Sequence, residues 1–322
     1  MEIIILLLVI VIVVINSTDS AQTIDDIKQK PELFLIGAMK CGTTTLFDLL
    51  TQHPQICNDA NKEKHYYDKA EEYQKGYKYY MSMFEGCDPN LFYLDATPRY
   101  VNIDEVPSRL LETYGKSLLA TKKFILILRE PISRHYSEYQ MRVRVCKYAF
   151  KDADEEKRID RNCDRITANW EEWSVKGHWA AREKELIFYT FAEWIKSEDG
   201  SHEISRGHYI QHVTAWLQYV DRSQLFIINF SSLLSSTPDT MTRLSKFIGL
   251  KTDWGDKAIL PVPAYASRKP ETYIDCKSYD YLDNYYKKIN QNIISFINDD
   301  VNKNEYEPYF SPFIYKRDCV DV

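Results

Sequence analysis

Two short segments of the sequence place cationic side chains beside hydroxyl groups, a combination suited to binding anions such as phosphate groups. In the first segment Lys40 precedes Gly42, and the threonines Thr43–Thr45 follow. In the second segment Arg129 is followed by Ser137. If each segment opens a helix, backbone N–H groups and the positive helix end also point at the bound anion. The two segments therefore predict a ligand with two separated phosphate-like groups.

The elements around these segments are those of an α/β fold. The apolar run LFLIG predicts a buried strand, and TTLFDLLTQHP predicts a helix that its threonines cap and Pro54 closes. The run KFILIL predicts a second strand, and REPISRHYSEY predicts a helix that Pro131 opens. We predict one α/β domain over residues 31–322, with a mainly parallel central sheet flanked by helices.

The first segment differs from the phosphate loop of nucleoside triphosphatases. That loop reads G-x-x-x-x-G-K-[ST], with the lysine after the second glycine, whereas Lys40 precedes Gly42. A nucleoside triphosphatase also needs a carboxylate after a second strand to hold magnesium, and Arg129 stands at that point. This cation favours direct binding of a second phosphate without a metal, with a P-loop kinase as the alternative.

Composition restricts the class of protein and its partners. The chain has 322 residues, of which 44% are hydrophobic, enough for a sizeable core. Its net charge of −6 gives no general attraction to polyanions, so nucleic acid is not expected as a partner. The apolar run Ile3–Ile15 is shorter than the roughly 17–25 residues of a spanning helix. We expect residues 1–21 to be a cleaved signal peptide or a short signal anchor, and either delivers the chain to the secretory lumen.

The cysteines suit an oxidising compartment. Their number, seven, leaves at least one without an intramolecular partner. A Cys146–Cys163 disulfide would close the charged insertion CKYAFKDADEEKRIDRNC, and Cys276 and Cys319 could join near the C-terminus. The sequence has no C-x-x-C pair, so a structural zinc site is not expected. Asn229 begins a glycosylation sequon.

Together these segments resemble the sulfotransferases that use 3′-phosphoadenosine 5′-phosphosulfate (PAPS), in particular the luminal carbohydrate branch. The 5′-phosphosulfate loop of that family is similar to GAMKCGTTTL, and its 3′-phosphate motif is similar to LREPISRHYSEY. Further resemblance lies in KEKHYYD, in DATPRY, and in the later segments RGHYIQHVTAWLQYV and LFIINFSSLLSSTPDTMTRLSKFIGL. The segment SRKP resembles a basic loop that closes over the nucleotide. The resemblance implies a P-loop-like sulfotransferase fold.

The resemblance also implies roles for individual residues. Sulfuryl transfer to a hydroxyl group needs a base for the acceptor's proton and cations at the leaving phosphate oxygen. The family's base aligns with Glu63, and a histidine beside its reacting centre aligns with His65. An extended backbone would place both side chains on one face. We expect Lys40 to be the catalytic cation. The residues expected to bind the nucleotide are Lys40, Cys41, Gly42, Thr43, Thr44, Thr45, Arg129, Ser137, Ser267, Arg268 and Lys269.

One departure from the family pattern concerns the acceptor. The heparan 3-O-type enzymes have a lysine in the second place of E-K-T-P-x-Y, where this chain has Ala96. The departure leaves one sulfate-contacting cation missing or displaced and argues against a close heparan 3-O-type relationship. The segments KCGTTTL and KEKHYY favour the chondroitin-type enzymes, including the one that acts on 4-sulfated N-acetylgalactosamine. The residues expected to contact the acceptor are Asp68, Arg99, Arg142 and Arg144.

The resemblance therefore predicts sulfation of a chondroitin- or dermatan-like glycosaminoglycan in the Golgi lumen. PAPS would be the donor, released as adenosine 3′,5′-bisphosphate, and no metal would be required. The protein would be a type II membrane protein or, after cleavage of its leader, a secreted one. The alternatives are a heparan-type sulfotransferase, a non-catalytic glycan-binding protein with the same fold, and a P-loop kinase.

Overall fold

A computed structural model describes residues 30–57, 62–149, 163–168, 187–251, 274–299, 304–313 and 319–320. The predicted leader, residues 1–21, and the predicted nucleotide contacts Ser267, Arg268 and Lys269 lie outside these ranges. Within them, no helix is long and apolar enough to cross a membrane.

The centre of the fold is a parallel sheet of four strands. The strands are β1 (Leu33–Gly37), β2 (Leu94–Asp95), β3 (Lys123–Leu128) and β4 (Leu225–Asn229), in the order β2-β1-β3-β4. Every residue of β1 and β4 is buried, which explains why these strands read as continuous apolar runs rather than alternating patterns. The sheet confirms the predicted mainly parallel α/β architecture.

Helices connect and flank the strands. They are α1 (Thr43–Leu50), α2 (Ala70–Tyr73), α3 (Tyr77–Ser82), α4 (Glu105–Leu119), α5 (Pro131–Ala149), α6 (Phe191–Trp194), α7 (Glu198–Ser205), α8 (Tyr209–Trp216), α9 (Phe230–Ser235), α10 (Thr237–Ile248) and α11 (Cys276–Asn298). Because β1 and β3 are parallel neighbours, the loops that lead from β1 into α1 and from β3 into α5 lie at the same edge of the sheet. This adjacency brings the two anion-binding segments together.

Two groups of buried aromatic residues stabilise the fold. The first includes Phe34 of β1 and Phe124 of β3, whose ring centroids are 5.4 Å apart, with Trp216 5.4 Å beyond Phe124. The second packs α5 against α6, with the rings of Tyr139 and Trp194 5.5 Å apart. Trp194 and Trp216 are almost completely buried, as expected of core residues rather than sugar-binding platforms.

Three disulfides join peripheral segments. Cys146–Cys163 and Cys276–Cys319 confirm the predicted pairs, and Cys57–Cys87 is a third pair that the sequence did not indicate. The pair Cys276–Cys319 lies beside two short parallel strands, β5 (Ile274–Asp275) and β6 (Cys319–Val320). Cys41 is the free cysteine, and it is buried.

The sequon at Asn229 does not present its asparagine to solvent. Asn229 ends β4, is 5% exposed and donates its side-chain amide hydrogen to the carbonyl of Ser311 at 2.9 Å. Its side-chain oxygen accepts hydrogen bonds from the backbone N–H and the hydroxyl of Ser231, so that Asn229 caps α9. Glycosylation at this sequon is therefore incompatible with the folded structure.

Candidate active site

The loop from β1 to α1 ends in a glycine that other side chains cannot replace. Gly42 has φ +94°, and a Cβ built on it would lie 2.6 Å from the ring of Phe230. Gly42 is also the residue that precedes α1, and no side chain caps the helix there. The expectation that the threonines cap this helix is wrong, because the residue at the N-cap position is Gly42, which has no side chain. The first backbone N–H groups of α1 therefore stay available to an anion.

Of the three threonine side chains after Gly42, two are buried in the core and one is exposed at the site. Thr43 and Thr45 are buried, at 5% and 7% exposed, whereas Thr44 is exposed and its hydroxyl accepts a hydrogen bond from the ammonium of Lys62 at 3.0 Å. Cys41 points into the core, with Sγ 3.7 Å from the hydroxyl of Tyr209, and burial raises the pKa of its thiol. The side chain of Cys41 is therefore turned into the core, and its backbone N–H donates to the carbonyl of Ala38 at 3.1 Å.

Lys40 lies among other cations. Its backbone is left-handed, with φ +66°. Burial is the main cause that lowers its pKa, Glu138 opposes that effect, and Arg144, Arg129 and Lys62 each lower the pKa further. Like charges at close range repel one another unless an anion lies between them. A negatively charged ligand bound at the loop would offset this repulsion.

Arg129 connects the two anion-binding segments directly. It follows β3, and its guanidinium donates from Nη1 to the carbonyl of Lys40 at 3.2 Å while lying 4.9 Å above the ring of Phe230. The hydroxyl of Tyr209 donates to the carbonyl of Arg129 at 2.7 Å, which fixes the backbone there. Burial lowers the pKa of Arg129. Ser137 lies further along α5 and is half-buried.

The predicted catalytic segment, residues 62–68, lies against this loop. Lys62 donates to Thr44 at 3.0 Å and to Oε1 of Glu63 at 2.9 Å. His65 Nε2 lies 3.6 Å from Oε2 of Glu63, and His65 Nδ1 lies 2.9 Å from Oδ2 of Asp68. The structure thus brings Glu63, His65 and Asp68 together in one ion cluster.

The extended backbone predicted for this segment is wrong. Glu63 and His65 have φ values of +66° and +53°, in the left-handed region. The backbone N–H of Glu63 donates to the carbonyl of Ala96 at 3.1 Å, a contact between distant parts of the chain that holds this conformation. The two side chains nevertheless lie close together, with His65 Nε2 3.6 Å from Oε2 of Glu63.

The ion cluster perturbs both titrating side chains. The pKa of Glu63 falls to about 2, chiefly through His65 and then through Lys62, while partial burial opposes the change. The pKa of His65 rises to about 9, chiefly through Asp68 and then through Glu63. At neutral pH the cluster therefore contains an ionised carboxylate facing a protonated imidazole.

A second segment, residues 95–99, lies beside the ion cluster and approaches it through Arg99. Asp95 is fully buried and accepts hydrogen bonds from Thr97, Tyr80 and Tyr100 at 2.7, 2.7 and 2.8 Å. Burial raises its pKa. Arg99 is 44% exposed in its side chain, with Nε 3.9 Å from the carboxylate of Asp68. The expected acceptor residues Arg99 and Asp68 therefore lie side by side.

The other two expected acceptor residues lie on α5. Arg142 donates from Nε to Glu138 at 3.1 Å and from Nη2 to Glu203 at 2.7 Å. Two carboxylates therefore already hold its guanidinium. Arg144 is half-buried and close enough to Lys40 to lower its pKa. Arg144 is the better placed of the two to face a ligand at the loop.

Sequence reasoning assigned no role to Lys62. The structure shows it as the side chain that joins the β1–α1 loop to Glu63. The available signal was its place immediately before Glu63 in KEKHYYD, but a lysine beside a glutamate is more often a solvated surface pair. Among the described residues, no group of three His, Cys, Asp or Glu side chains is arranged to hold a metal ion.

This arrangement can hold an anionic donor at the β1–α1 loop and remove a proton from a hydroxyl group that approaches it. Those two capabilities suit a transferase of phosphate-like groups. A family profile described as Sulfotransferase domain matches residues 30–269. Since that match covers most of the chain, the chain belongs to the sulfotransferase domain family, whose members are transferases of sulfo groups.

Similar proteins agree with this membership. The membrane-associated sulfotransferase kil1 of Dictyostelium discoideum is 26% identical, over 84% of this chain and 66% of its own length. The bifunctional heparan sulfate N-deacetylase/N-sulfotransferase 4 of Mus musculus is 27% identical over 68% of this chain and 22% of its own. The heparan sulfate glucosamine 3-O-sulfotransferase 5 of Homo sapiens is 23% identical, over 73% and 58%. The chain thus spans about two thirds or less of these relatives.

A solved structure shares the fold. The crystal structure of a sulfotransferase from Alicyclobacillus acidocaldarius superposes with a TM-score of 0.54 at 19% identity, covering 83% of this chain and 95% of that one. Since heparan enzymes are among the relatives, assignment to the chondroitin branch stays a prediction.

Proposed function

We propose that this protein transfers a sulfuryl group from PAPS to a hydroxyl group of a carbohydrate. The observation that supports this most strongly is the contact between the anion loop and the candidate base. The ammonium of Lys62 touches the hydroxyl of Thr44 on one side and the carboxylate of Glu63 on the other. A single side chain, that of Lys62, therefore joins the candidate base to the anion loop. This closeness suits transfer of a charged group to a hydroxyl.

Each residue of the site has a role in this reaction. Lys40 and the first N–H groups of α1 hold the 5′-phosphosulfate, and Arg129 with Ser137 hold the 3′-phosphate. Glu63 accepts the proton of the acceptor hydroxyl as its oxygen forms a bond to sulfur. The bond between sulfur and the bridging phosphate oxygen breaks, and the electron pair stays on that oxygen, where Lys40 stabilises the charge. The products are the sulfated acceptor and adenosine 3′,5′-bisphosphate.

His65 contributes charge rather than a proton. Because its pKa is about 9, the imidazole is protonated at neutral pH and can stabilise negative charge that develops on the sulfuryl oxygens. Asp68 holds the ring through Nδ1 and so directs Nε2 towards Glu63. Arg99 and Arg144, at the margin of the site, are candidates for contacts with an acidic acceptor.

For the acceptor we propose a glycosaminoglycan. The segments KCGTTTL and KEKHYY favour a chondroitin- or dermatan-like chain, and Ala96 separates this protein from the heparan 3-O pattern. The second candidate is a heparan-type acceptor, which the names of two relatives favour. The three disulfides support a luminal location, in the Golgi. There residues 1–21 would act as a cleaved signal or an anchor, and residues 31–322 as the catalytic domain.

The test is incubation with ³⁵S-labelled PAPS and a panel of desulfated and native glycosaminoglycans, followed by disaccharide analysis. We expect label in a chondroitin- or dermatan-derived disaccharide, and none with a Lys40→Ala variant. Label confined to heparan disaccharides would replace the acceptor with the second candidate. Failure to label any glycan, with adenosine 3′,5′-bisphosphate still bound, would favour a non-catalytic glycan-binding protein. Transfer of phosphate from ATP would favour a kinase.

A further inference from the structure

Lys62 occupies an unusual place for a lysine. Its side chain is only 16% exposed, although lysines usually keep the ammonium in water. The ammonium lies 3.0 Å from the hydroxyl of Thr44 and 2.9 Å from the carboxylate of Glu63. It therefore lies between the predicted donor loop and the candidate base.

The surrounding charges indicate that this ammonium serves an anionic ligand. Lys62 lowers the pKa of Lys40, as do Arg129 and Arg144, so several cations repel one another around the loop. Glu63, whose side chain is 44% exposed, pairs with one of these cations, and Glu138 offsets part of the repulsion at Lys40. A cluster of this kind is stabilised when an anion enters it.

Among the described residues of the catalytic segments, His65 is the other cation near this point, with Nε2 3.6 Å from Oε2 of Glu63. Ala96, whose carbonyl accepts from the N–H of Glu63, has only a methyl side chain. Arg99 points to Asp68 and is 44% exposed. Lys64 is buried and donates to the carbonyl of Met83. Lys62 is thus the side chain that joins Thr44 to Glu63, and together with His65 it could neutralise charge on a group held between them.

We propose that Lys62 is a catalytic residue that contacts the transferred sulfuryl group, and that this contact takes its ammonium away from Glu63, the base. The inference rests on the proposed function and deepens it. Without donor, Lys62 pairs with Glu63. With donor, the ammonium turns to the sulfuryl oxygens, and the carboxylate loses one of the two cations that lower its pKa, while His65, the stronger of the two, stays beside it. Glu63 then accepts the acceptor's proton as the sulfur–acceptor oxygen bond forms and the sulfur–phosphate oxygen bond breaks.

The direct test compares two nucleotides that differ at the sulfuryl group. PAPS and adenosine 3′,5′-bisphosphate are titrated calorimetrically, without acceptor, against the parent, Lys62→Met and Lys62→Arg. The control is Lys75→Met, since Lys75 forms a similar pair with Glu72 at 2.8 Å but on the surface. We expect Lys62→Met to lose about tenfold in affinity for PAPS, with the bisphosphate bound within about twofold of the parent. Lys62→Arg should retain most PAPS affinity, and the control should change neither.

Each other outcome overturns the inference. If Lys62→Met weakens both nucleotides equally, the lysine contacts a phosphate that both share. If neither affinity changes, the lysine serves only Glu63. A parent that binds neither nucleotide refutes the proposed function itself, and with it this inference. Unchanged binding of the bisphosphate by Lys62→Met also shows that the variant is folded.

Discussion

Replacing Asp68 with asparagine should lower the pKa of His65 while leaving the fold in place. Asp68 is fully buried in its side chain, and Oδ2 lies 2.9 Å from His65 Nδ1. Asparagine has nearly the same shape, and its side-chain oxygen can still accept a hydrogen bond from Nδ1. The substitution therefore removes the negative charge but keeps the packing and the orientation of the ring.

The size of the effect follows from the causes of the perturbation. The pKa of His65 is raised from 6.5 to about 9, and Asp68 is the largest cause, ahead of Glu63. A neighbouring opposite charge typically changes a pKa by about 1–3. Because Glu63 continues to raise the pKa of His65, we take a decrease of about 1–2 from this range, which brings the pKa of His65 in Asp68→Asn to roughly 7–8. Near pH 7.5 the parent imidazole is almost fully protonated, whereas about half of the variant would be.

The pKa is measured by NMR titration of the His65 imidazole in the parent, in Asp68→Asn and in an Asp239→Asn control. Asp239 pairs with Arg243 at 2.9 Å on the surface of α10 and should leave His65 unchanged. The decline of kcat at alkaline pH should begin about one to two pH units earlier in Asp68→Asn. A His65 pKa that stays near 9 in the variant would refute the role assigned to Asp68. A lowered pKa with an unchanged pH profile would refute the role assigned to protonated His65.

The same cluster makes stability depend on pH. Since the folded pKa of His65 is about 9 and its usual value is 6.5, its contribution is complete below pH 6.5 and is lost as the pH rises through 9. For Glu63, lowered from 4.5 to about 2, the contribution is present above pH 4.5 and is lost as the pH falls through 2. Urea unfolding should show the parent losing stability between pH 6.5 and 9 more steeply than Asp68→Asn.

Three substitutions test the remaining roles. Lys40→Ala should lower kcat by about 100-fold or more, because it removes a preorganised charge at the leaving oxygen; near-normal turnover of the folded variant in the labelled-PAPS assay would contradict this. Glu63→Gln should bind adenosine 3′,5′-bisphosphate normally by calorimetry but lose roughly 10²–10⁴-fold in transfer, and turnover within a few-fold of the parent would assign the base elsewhere. Arg129→Ala should raise KM with little effect on kcat, since the 3′-phosphate contact is the same in ground and transition states. The parent should prefer the bisphosphate over adenosine 5′-monophosphate strongly, and an unchanged preference in Arg129→Ala would place the 3′-phosphate at another residue.

Much of the fold could be predicted from the sequence because its central strands are buried on both faces. Such strands appear as short continuous apolar runs, and both LFLIG and KFILIL match the observed strands in full. The adjacency of the two anion-binding segments also followed, since each was placed at the end of a parallel strand. These features depend on local composition and on general rules of parallel sheets.

The features that could not be predicted depend on contacts between distant residues. The cap of α1 is decided by Gly42 packing against Phe230, which belongs to the helix after another strand. The left-handed backbone at Glu63 is held by the carbonyl of Ala96. Arg142 is paired with Glu203, and 61 positions separate the two in sequence. No local pattern shows which partner such a side chain will meet.

Burial of Cys41 has a consequence for oxidative folding. With seven thiols, three disulfides can form in about 105 ways, whereas six thiols allow about 15. If β1 and the loop after it enter the core before oxidation is complete, Cys41 is withheld from exchange, and the remaining thiols form pairs separated by 17, 30 and 43 positions. Burial then protects the free thiol of Cys41 in the donor loop. The binding loop can therefore form without its thiol exchanging with the three peripheral disulfides.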